Sequence, residues 1–444
     1  MAQPFWAPAG LPEKCNPMRQ VYAPASDEVY VVGRIILDTS AFWYPRNPVM
    51  RYSAGAWDTL SYVRWGFIES IVEYHDTLII GGNFTLTDDG TPCEGILYWA
   101  DGSWQPYGDL EHQVRRLRVL DDTLYATGGF HNADGQPTMG IARREGGQWV
   151  PVGTVQDPDV LLLDVCKYQG QLVAIGIGYL NGLRGIFQFD GNQWSALGPG
   201  IVGGVSGGAC LAVYNGDLYV GGQLSIPEGN AGQEIMRWDG SAFHAVGIGL
   251  QWQLGDLLSF STCADMKVHD GLLWVCGGFN YAGGVEAHGV ATWDGSRWCG
   301  VQGDLVRYQN GGVASMDFYG DTLFVACGDT ADGQYMNNSA KFIGTSYADT
   351  CSGPVGISEA AVVSLTLAPN PATDQITLAG LPGTGPWYIQ LFDMEGRAHA
   401  IRTEAKGEGL ILYRGDLAAG CYTLVIAADD AKQRSVARVV FVDP

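Results

Sequence analysis

Hydrophobic and polar positions alternate in short runs along most of the chain, and tight-turn residues separate the runs. In residues 272–298 an apolar run ends at Gly277-Gly278, a second run ends at Trp293, and Asp294-Gly295 leads towards Trp298. Alternation of this kind is typical of half-buried strands, and Asp-Gly between two such runs indicates a hairpin turn. The segment therefore predicts antiparallel strands joined by tight turns.

The pattern repeats along the chain at nearly constant intervals. The glycine pair or its equivalent falls at Gly33, Gly81, Gly128, Gly176, Gly221, Gly277 and Cys327. Successive positions are 48, 47, 48, 45, 56 and 50 residues apart. Most repeats also contain two residues, mostly aromatic, that are five apart: Tyr52/Trp57, Trp99/Trp104, Arg144/Trp149, Phe189/Trp194, Trp238/Phe243 and Trp293/Trp298. A period of about 40–50 residues with several short strands is typical of β-propeller blades.

The number of blades follows from the residues that begin the predicted fourth strands. There are seven of these: Trp6, Trp57, Trp104, Trp149, Trp194, Phe243 and Trp298. The last blade, near residues 323–342, needs a fourth strand from elsewhere. Because Trp6 shares the spacing W-x-P-x-G with Trp104 and Trp149, we expect the N-terminal segment to supply that strand and close the ring. Tyr347, five residues after Phe342, is the competing candidate.

These observations predict an all-β chain with three parts. Residues 1–351 are expected to form a seven-bladed β-propeller with four-stranded blades, and residues 352–363 a linker. The blade pattern does not return after residue 365, where short alternating strands continue. Residues 364–444 are therefore predicted to form a small β-sandwich.

Charged residues recur on the predicted innermost strands. Side chains two apart share one face of a strand, so the channel-facing positions hold Arg116, Arg118, Asp164, Asp265, Lys267 and Asp317. The intervening Leu, Val and Met side chains are expected to face the blade core. Two interpretations stay open for the six charges. They form a mixed-charge ring that lines a wet channel, or they bind a ligand at the channel mouth.

The repeat resembles the kelch repeat of β-propellers. The similarity is carried by Gly221-Gly222 with Trp238, and by Gly277-Gly278 with Trp293 and Trp298. It covers about residues 5–347. The chain departs from the kelch pattern in the shorter aromatic spacing and in the Asp-Gly-Ser turn, so the resemblance implies a kelch-like propeller and not membership of the family.

The tail resembles the C-terminal sorting domain of cargo proteins of the type IX secretion system. The matching residues are Asn370, Pro371, Asp393, Gly396, Arg397, Leu417, Gly420, Tyr422 and Arg438, the last of these in a basic final strand. The resemblance implies that the type IX machinery of a Bacteroidetes-type bacterium exports the chain across the outer membrane. The domain would then be removed, with release of the protein or its attachment to surface lipopolysaccharide.

Composition narrows the choice of partners. The net charge is −22, from 25 basic and 47 acidic residues, which disfavours nucleic acid and anionic membrane surfaces. No apolar run has the length of a membrane span, and no signal peptide is predicted at the N-terminus. The ten cysteines are compatible with disulfides or with buried thiols.

The chain offers little sign of catalytic chemistry. It has no G-x-S-x-G motif, and its seven histidines are not spaced as metal ligands. Turn chemistry accounts for the loops at Asp88-Asp89-Gly90, Asp134-Gly135 and Asp332-Gly333, with a weak calcium site as the alternative. We therefore expect neither an enzyme nor a bound cofactor.

The predicted function is a secreted or cell-surface display module whose loops bind a glycan or a protein. The predicted loop contacts are Trp43, Tyr44, Trp65 and Trp252, which lie between the repeat landmarks. The alternative for these four aromatics is that they are buried anchors of their loops. One alternative is a glycan-processing enzyme, sialidase-like or another glycosidase, with acidic and arginine side chains at the channel mouth. The other is a structural component of a surface assembly, with a broad apolar patch.

Overall fold

The structure is a computed structural model, and all of its described regular elements are strands. It describes residues 4–11, 15–24, 28–35, 46–153, 161–180, 183–201, 210–224, 233–254, 257–259, 261–305, 312–328, 330–351, 366–381, 387–392, 398–399, 401–406, 409–415, 417–428 and 434–443. The chain divides into two compact units, Met1–Val355 and Gly356–Pro444. The predicted linker at 352–363 lies outside the described residues.

In its described part the first unit contains seven like antiparallel sheets, numbered 1 to 7 in chain order. Sheet 1 comprises Cys15–Tyr22, Glu28–Ile35, Arg46–Ser53 and Ala56–Arg64. Sheet 2 comprises Ile68–Tyr74, Thr77–Gly82, Ile96–Ala100 and Ser103–Pro106. Sheet 3 comprises Val114–Leu120, Thr123–Gly128, Ile141–Glu145 and Gln148–Pro151. Sheet 4 comprises Leu161–Tyr168, Gln171–Leu180, Leu183–Phe189 and Trp194–Ala196. Sheet 5 comprises Cys210–Tyr214, Asp217–Gly221, Ile235–Trp238 and Phe243–Ala245. Sheet 6 comprises Thr262–His269, Leu272–Gly278, Val290–Trp293 and Trp298–Val301. Sheet 7 comprises Ser315–Tyr319, Thr322–Ala326, Ser339–Phe342 and the N-terminal strand Trp6–Pro8.

Shorter strands lie in the connections between these sheets. Leu86–Thr87 extends sheet 1, and Ala348–Cys351 extends sheet 6. The others are Asn132–Ala133 with Gln136–Pro137; Leu250–Leu254 with Leu257–Ser259, Tyr281–Ala282 and Val285–Glu286; and Thr330–Ala331 with Gln334–Tyr335.

The N-terminal strand completes sheet 7, as its tryptophan spacing predicts. Trp6 pairs with Phe342, and its indole N–H donates to the Gln302 carbonyl at 2.8 Å. Tyr347 does not supply that strand. Its carbonyl accepts the N–H of Gln302, and the residues that follow pair with sheet 6, where Cys351 forms a disulfide with Cys299.

The constant five-residue spacing of the aromatic residues among the repeats has a geometric cause. Trp293 and Trp298 are direct cross-strand partners, and so are Trp99 and Trp104, because a short turn joins the third and fourth strands. Lengthening that turn would break the pairing, whereas the other connections can vary in length. The interval between repeats therefore changes while the aromatic spacing stays at five.

The repeated glycine makes room for a β-bulge in the first strand. In sheet 6 the register shifts between Cys263 and Asp265, and a Cβ added to Gly277 would lie 1.9 Å from the Thr262 carbonyl oxygen. The same geometry recurs in sheet 3, where a Cβ at Gly128 would lie 2.0 Å from the Gln113 carbonyl oxygen. Glycine is required at these positions because any side chain would collide with backbone.

Hydrophobic clusters fill the spaces between neighbouring sheets. Leu211 of sheet 5 packs with Ile175 of sheet 4, and Met266 of sheet 6 with Tyr219 of sheet 5. One such cluster joins the two ends of the series, because it contains Phe324 of sheet 7 together with residues of sheet 1.

The second unit has two four-stranded sheets in its described part. One comprises Thr366–Ala368, Gln375–Ala379, Arg402–Lys406 and Gly409–Tyr413; the other comprises Trp387–Phe392, Ala398–His399, Gly420–Ala428 and Arg434–Phe441. Both contribute to one hydrophobic cluster, in which Leu378 and Leu412 of the first sheet meet Leu424 and Phe441 of the second.

Candidate functional site

Four of the six charged residues predicted for the channel form one cluster, in which the two aspartates are buried and the two arginines are partly exposed. Arg118 donates two hydrogen bonds to the carboxylate of Asp164, at 2.8 and 2.6 Å. Arg116 lies 3.9 Å from Asp164 and 3.8 Å from Asp265. Burial alone would raise the pKa of Asp164, but the positive charges of both arginines outweigh it and lower the pKa. The Asp164 carboxylate is therefore ionised, and its charge is neutralised within the cluster.

The other two predicted channel residues form a separate ion pair. Lys267 Nζ lies 3.1 Å from Asp317 Oδ2, and that oxygen also accepts the backbone N–H of Ala23. Two residues earlier in the same strands, Ser315 Oγ donates to Asp265 Oδ2 at 3.1 Å. Because these two contacts follow one another in the same order, the first strands of sheets 6 and 7 run in the same direction and in the same register.

Side chains at one equivalent position of the first strands also bond to the backbone of the next sheet. The bonds are Ile71 N–H to Gln20 Oε1 at 2.9 Å, Leu117 N–H to Ser70 Oγ at 3.1 Å, Leu211 N–H to Asp164 Oδ2 at 3.0 Å and Val21 N–H to Ser315 Oγ at 3.4 Å. Each bond satisfies a buried backbone donor.

Arg116 and Cys210 occupy this position in sheets 3 and 5, where they cannot serve as good acceptors. In both cases the next sheet carries an aspartate there, Asp164 or Asp265. The Oδ1 atom of each accepts the N–H of the following residue, at 2.9 and 3.1 Å. Each of these carboxylates thus satisfies the donor that the preceding sheet leaves without an acceptor. Ligand binding by the six predicted channel residues stays a prediction.

The expectation that every intervening apolar side chain faces the core is wrong for three valines. Leu117 and Met266 are buried, but Val119, Val213 and Val268 are 38%, 39% and 51% exposed. Each of these valines lies beside the turn that ends its first strand, beyond the packed part of the sheet. Strand alternation predicts a side chain's face but not where along the strand the packing stops.

Trp65 is exposed and has an unusual backbone conformation. It connects sheets 1 and 2, its side chain is 48% exposed, and its φ is +58°, which bulky residues rarely adopt. Its surroundings hold it there. The Gly66 carbonyl accepts a hydrogen bond from Asn47 Nδ2, and Phe67 N–H donates to Asn83 Oδ1 at 2.7 Å. A Cβ at Gly66 would lie 2.5 Å from the Asn83 carbonyl oxygen.

Polar groups lie next to Trp65 along the chain. Arg64 Nη2 lies 3.3 Å from Asp88 Oδ1, and the two side chains are 39% and 32% exposed. An exposed indole beside an accessible ion pair can stack on one face of a sugar ring and bond to its hydroxyl groups. This segment, residues 64–66 with Asp88, is called the Trp65 loop below.

Trp252 lies on a hairpin in the longest of the intervals between repeats. Its strand neighbours Gln251 and Gln253 face the opposite side and bond to each other at 3.1 Å, so Trp252 does not share a surface with these amides. Nearby, burial raises the pKa of Glu234 to about 7, and among the described residues its Oε2 atom has no hydrogen-bond partner. Sequence reasoning missed Glu234. The other predicted loop contacts, Trp43 and Tyr44, lie outside the described residues.

Several of the sorting-motif residues meet in the second unit. Asn370 Oδ1 accepts the N–H of Val440 at 2.9 Å, which joins the Asn370-Pro371 opening to the final strand. In the L-x-x-G-x-Y turn, from Leu417 through Gly420, the buried Tyr422 donates its hydroxyl to the Ala418 carbonyl at 2.9 Å. Arg438 pairs with Thr423 through the backbone. Asp393, Gly396 and Arg397 lie outside the described residues.

Arg414 links the same segments and was not singled out from the sequence. It donates to the carbonyls of Leu417, Thr373 and Val442 at 2.8, 3.2 and 2.7 Å, and to the Asp443 carboxylate at 2.8 Å. A planar guanidinium can span several acceptors, and the arginine after the strand Gly409–Tyr413 is the available signal.

The aspartates of the Asp-Gly loops accept backbone N–H groups. Asp134 accepts those of Asp109 and Trp149, and Asp332 accepts those of Trp6 and Asp304, all within 2.9 Å. Within the described ranges no three His, Cys, Asp or Glu side chains are grouped as metal ligands. Nor does this part of the chain include a helix that could cross a bilayer.

No protein-family model and no curated protein matches the chain. Among solved structures it is similar to PorZ of Porphyromonas gingivalis, an essential bacterial surface component of the type-IX secretion system, with 14% identity and a TM-score of 0.41. That alignment covers 100% of this chain and 61% of PorZ, so the chain spans about three fifths of that protein's length. A Bacteroides thetaiotaomicron protein of unknown function has 11% identity and a TM-score of 0.35, covering 76% of this chain and 98% of its own.

Proposed function

We propose that the chain is a type IX cargo whose seven sheets close into a β-propeller, and that this propeller binds a glycan or a surface protein without catalysis. The second unit is then a β-sandwich that serves as the export signal. The mature protein is secreted or held at the outer-membrane surface. The single observation that carries the binding role is the exposed and rigidly held Trp65.

Hydrogen bonds between fourth strands support a closed ring. The indole N–H of Trp149, Trp194 and Trp298 donates in each case to a carbonyl of the preceding sheet, at 2.7, 2.9 and 2.9 Å. The same bond joins Trp6 of sheet 7 to sheet 6, and Trp57 of sheet 1 to sheet 7. A ring of this kind leaves no open sheet face along the series.

Backbone strain supports a binding role for the Trp65 loop. A φ above zero costs a bulky residue of the order of 1 kcal/mol, and burying its indole would be the usual compensation. Trp65 is instead half exposed at the end of the sheets where the first strands begin. A rigid aromatic surface of this kind binds with little loss of conformational entropy.

The internal pairing of the channel charges argues for binding over catalysis. Both oxygens of Asp164 each accept two hydrogen bonds, from Arg118 and from backbone, so this carboxylate has no acceptor site left for a substrate. A glycosidase needs an accessible pair of carboxylates.

A glycan array with the full chain tests the binding role, and hydrolysis of each bound glycan is assayed in parallel. We expect saturable binding without turnover. Trp65→Ala should weaken binding at least about tenfold, because a central aromatic contact contributes about 2 kcal/mol or more. Val268→Ala, an exposed apolar residue at the opposite end of the sheets, should leave binding unchanged. Turnover that is lost in Arg118→Ala or Asp265→Ala would contradict the proposal.

Export is tested in a bacterium that has the type IX system. The full chain, preceded by a signal peptide for the inner membrane, is compared with a chain that ends at residue 351. The full chain should reach the cell surface or the medium, and the shortened chain should accumulate in the periplasm. Equal export of both chains, or export in a strain without the type IX translocon, would refute the sorting role.

A further inference from the structure

Two buried cysteines meet between sheets 5 and 6. Cys210 begins the first strand of sheet 5, and Cys263 lies in the first strand of sheet 6. Their sulfur atoms are 3.6 Å apart, and neither side chain is exposed. Both belong to the hydrophobic cluster that fills the space between the two sheets. The contact therefore spans a boundary that is otherwise held by packing and hydrogen bonds.

Gly221 leaves the space that the two sulfur atoms occupy. It pairs with Cys210 across sheet 5. A Cβ at Gly221 would lie 2.4 Å from Cys263 Sγ and 2.9 Å from Cys210 Sγ. Any larger residue at this position would push the sulfurs from their places. The position of the thiol pair is thus fixed from both sheets.

The same unit already contains a disulfide, between Cys299 and Cys351. Disulfides form and persist in oxidising compartments and are rare where glutathione keeps thiols reduced. A chain that forms the Cys299–Cys351 bond therefore folds where a second pair of adjacent thiols also meets an oxidant.

We propose that Cys210 and Cys263 form a second disulfide, which links sheets 5 and 6 covalently. The thiolate of one cysteine attacks the disulfide of a small-molecule or protein thiol–disulfide oxidant and releases one of its thiols. The other cysteine then displaces the remaining oxidant sulfur from the mixed disulfide. One S–S bond forms in the chain, the oxidant is reduced to two thiols, and the two cysteine protons pass to those thiols through solvent.

The geometry requires a small movement and an early reaction. The sulfurs must approach from 3.6 Å to the bond length of about 2.05 Å, which a side-chain rotation can supply. Burial raises the pKa of the Cys263 thiol and excludes an oxidant from the folded unit. The bond is therefore expected to form during folding, before the two sheets pack.

Cys276 is the competing partner, because it is fully buried in the strand next to Cys263. Peptide mapping separates the possibilities. Trypsin places Cys210 in residues 185–237, Cys263 in 238–267, Cys276 in 268–297 and Cys299 in 298–307. Each cysteine of this group thus lies in its own peptide, and a linked pair identifies both partners.

Peptide mapping of the secreted protein tests the proposed disulfide. The full chain is secreted into the oxidising periplasm of a bacterial host, and its free thiols are alkylated at once. Molecules that carry the Cys299–Cys351 link are then digested with trypsin without reduction. The proposal expects peptide 185–237 joined to 238–267. Recovery of both peptides as alkylated thiols, or Cys210 joined to the peptide of Cys276, would overturn it.

A thermal comparison gives a second readout. Oxidised wild type should unfold at a higher temperature than oxidised Cys210→Ser, and reduction should remove most of that difference. Cys166→Ser alters a buried thiol in sheet 4 and serves as the control, with the same difference from wild type in both redox states. A Cys210→Ser difference that is equally large in the reduced proteins would refute the disulfide.

Discussion

Asp164 stabilises the first unit through an unusually complete set of partners. Two of its hydrogen bonds come from Arg118 and two from backbone N–H groups, and its side chain is fully buried. The Coulomb attraction and these bonds outweigh the cost of burying a charge, which is why its pKa is lowered. Removing the carboxylate would leave the partly buried Arg118 without its counter-charge.

Asp164→Asn should lower the free energy of unfolding by about 3–5 kcal/mol, measured by guanidinium titration. A lowered folded-state pKa contributes stability that is present above the unfolded pKa of about 3.9 and is lost as pH falls through the folded value. The wild type should therefore lose this stability below about pH 4, and the variant should show less of that loss. Asp121→Asn removes an exposed pair with Lys167 and should change stability by at most about 1 kcal/mol.

The pKa of Glu234 is shifted upward, in the opposite direction from the pKa of Asp164. Burial raises its pKa to about 7, and this outweighs the hydrogen bonds from the Ser261 hydroxyl, at 3.4 Å, and from the Leu224 backbone N–H, which lower the pKa. A raised carboxyl pKa contributes stability that is present below the unfolded pKa of about 4.3 and is lost as pH rises through 7.

Glu234→Gln should therefore stabilise the protein at pH 8, by about 1–2 kcal/mol, because a neutral amide avoids burying the charge. At pH 4 the variant and the wild type should be equally stable. Thermal unfolding at the two pH values measures this, and a variant that is less stable than the wild type at pH 8 would show that the charged form is favoured.

At the scale of the strand, the fourth-strand tryptophans act together with a glycine. The indole of Trp194 donates to the Val152 carbonyl and rests against Gly153 of the preceding sheet. A Cβ at Gly153 would lie 2.8 Å from the ring of Phe189 and 2.9 Å from the Trp194 indole nitrogen. The glycine of the W-x-P-x-G motif thus contacts the tryptophan of the next sheet.

Gly153→Ala tests this contact against a matched control. Gly147 has a similar φ, +84° against +78°, but a Cβ there would meet nothing within 4 Å. Both substitutions carry the backbone cost of about 1–2 kcal/mol, and Gly153→Ala adds a steric cost of about 1–3 kcal/mol. Denaturant unfolding should show the larger loss for Gly153→Ala, whereas equal losses would mean that the indole does not depend on this glycine.

Sequence periodicity predicted repeated antiparallel sheets of four strands and the pairing of Trp6 with Phe342, because these follow from local alternation and turn chemistry. It did not predict the fifth strand of sheet 6 or the pairing of Cys299 with Cys351. Both depend on the path of the chain after sheet 7, which no local pattern encodes. The sequence also did not predict which of the six charged residues pair with each other, because alternation gives the face of a side chain but not its partner.

At the scale of the whole molecule, sheets 1 and 7 form the boundary on which the proposed ring depends. Three kinds of contact cross it: the Trp57 indole bond to the Ala9 carbonyl, the backbone bonds of sheet 1 to Ser315 and Asp317, and packing around Phe324. Contacts of the same kinds join other neighbouring sheets, such as sheets 3 and 4 through the Trp194 indole and sheets 2 and 3 through Ser70. A boundary of this kind should open no more readily than the rest.

Hydrogen–deuterium exchange of the full chain tests the closed ring most directly. In the structure the N–H groups of Trp6, Ala9, Val21 and Ala23 bond to Asp332, Ser339, Ser315 and Asp317. A closed ring predicts that peptides with these amides exchange as slowly as the Thr123–Gly128 strand of sheet 3. Complete exchange of the same peptides within seconds, while sheet 3 stays protected, would contradict it.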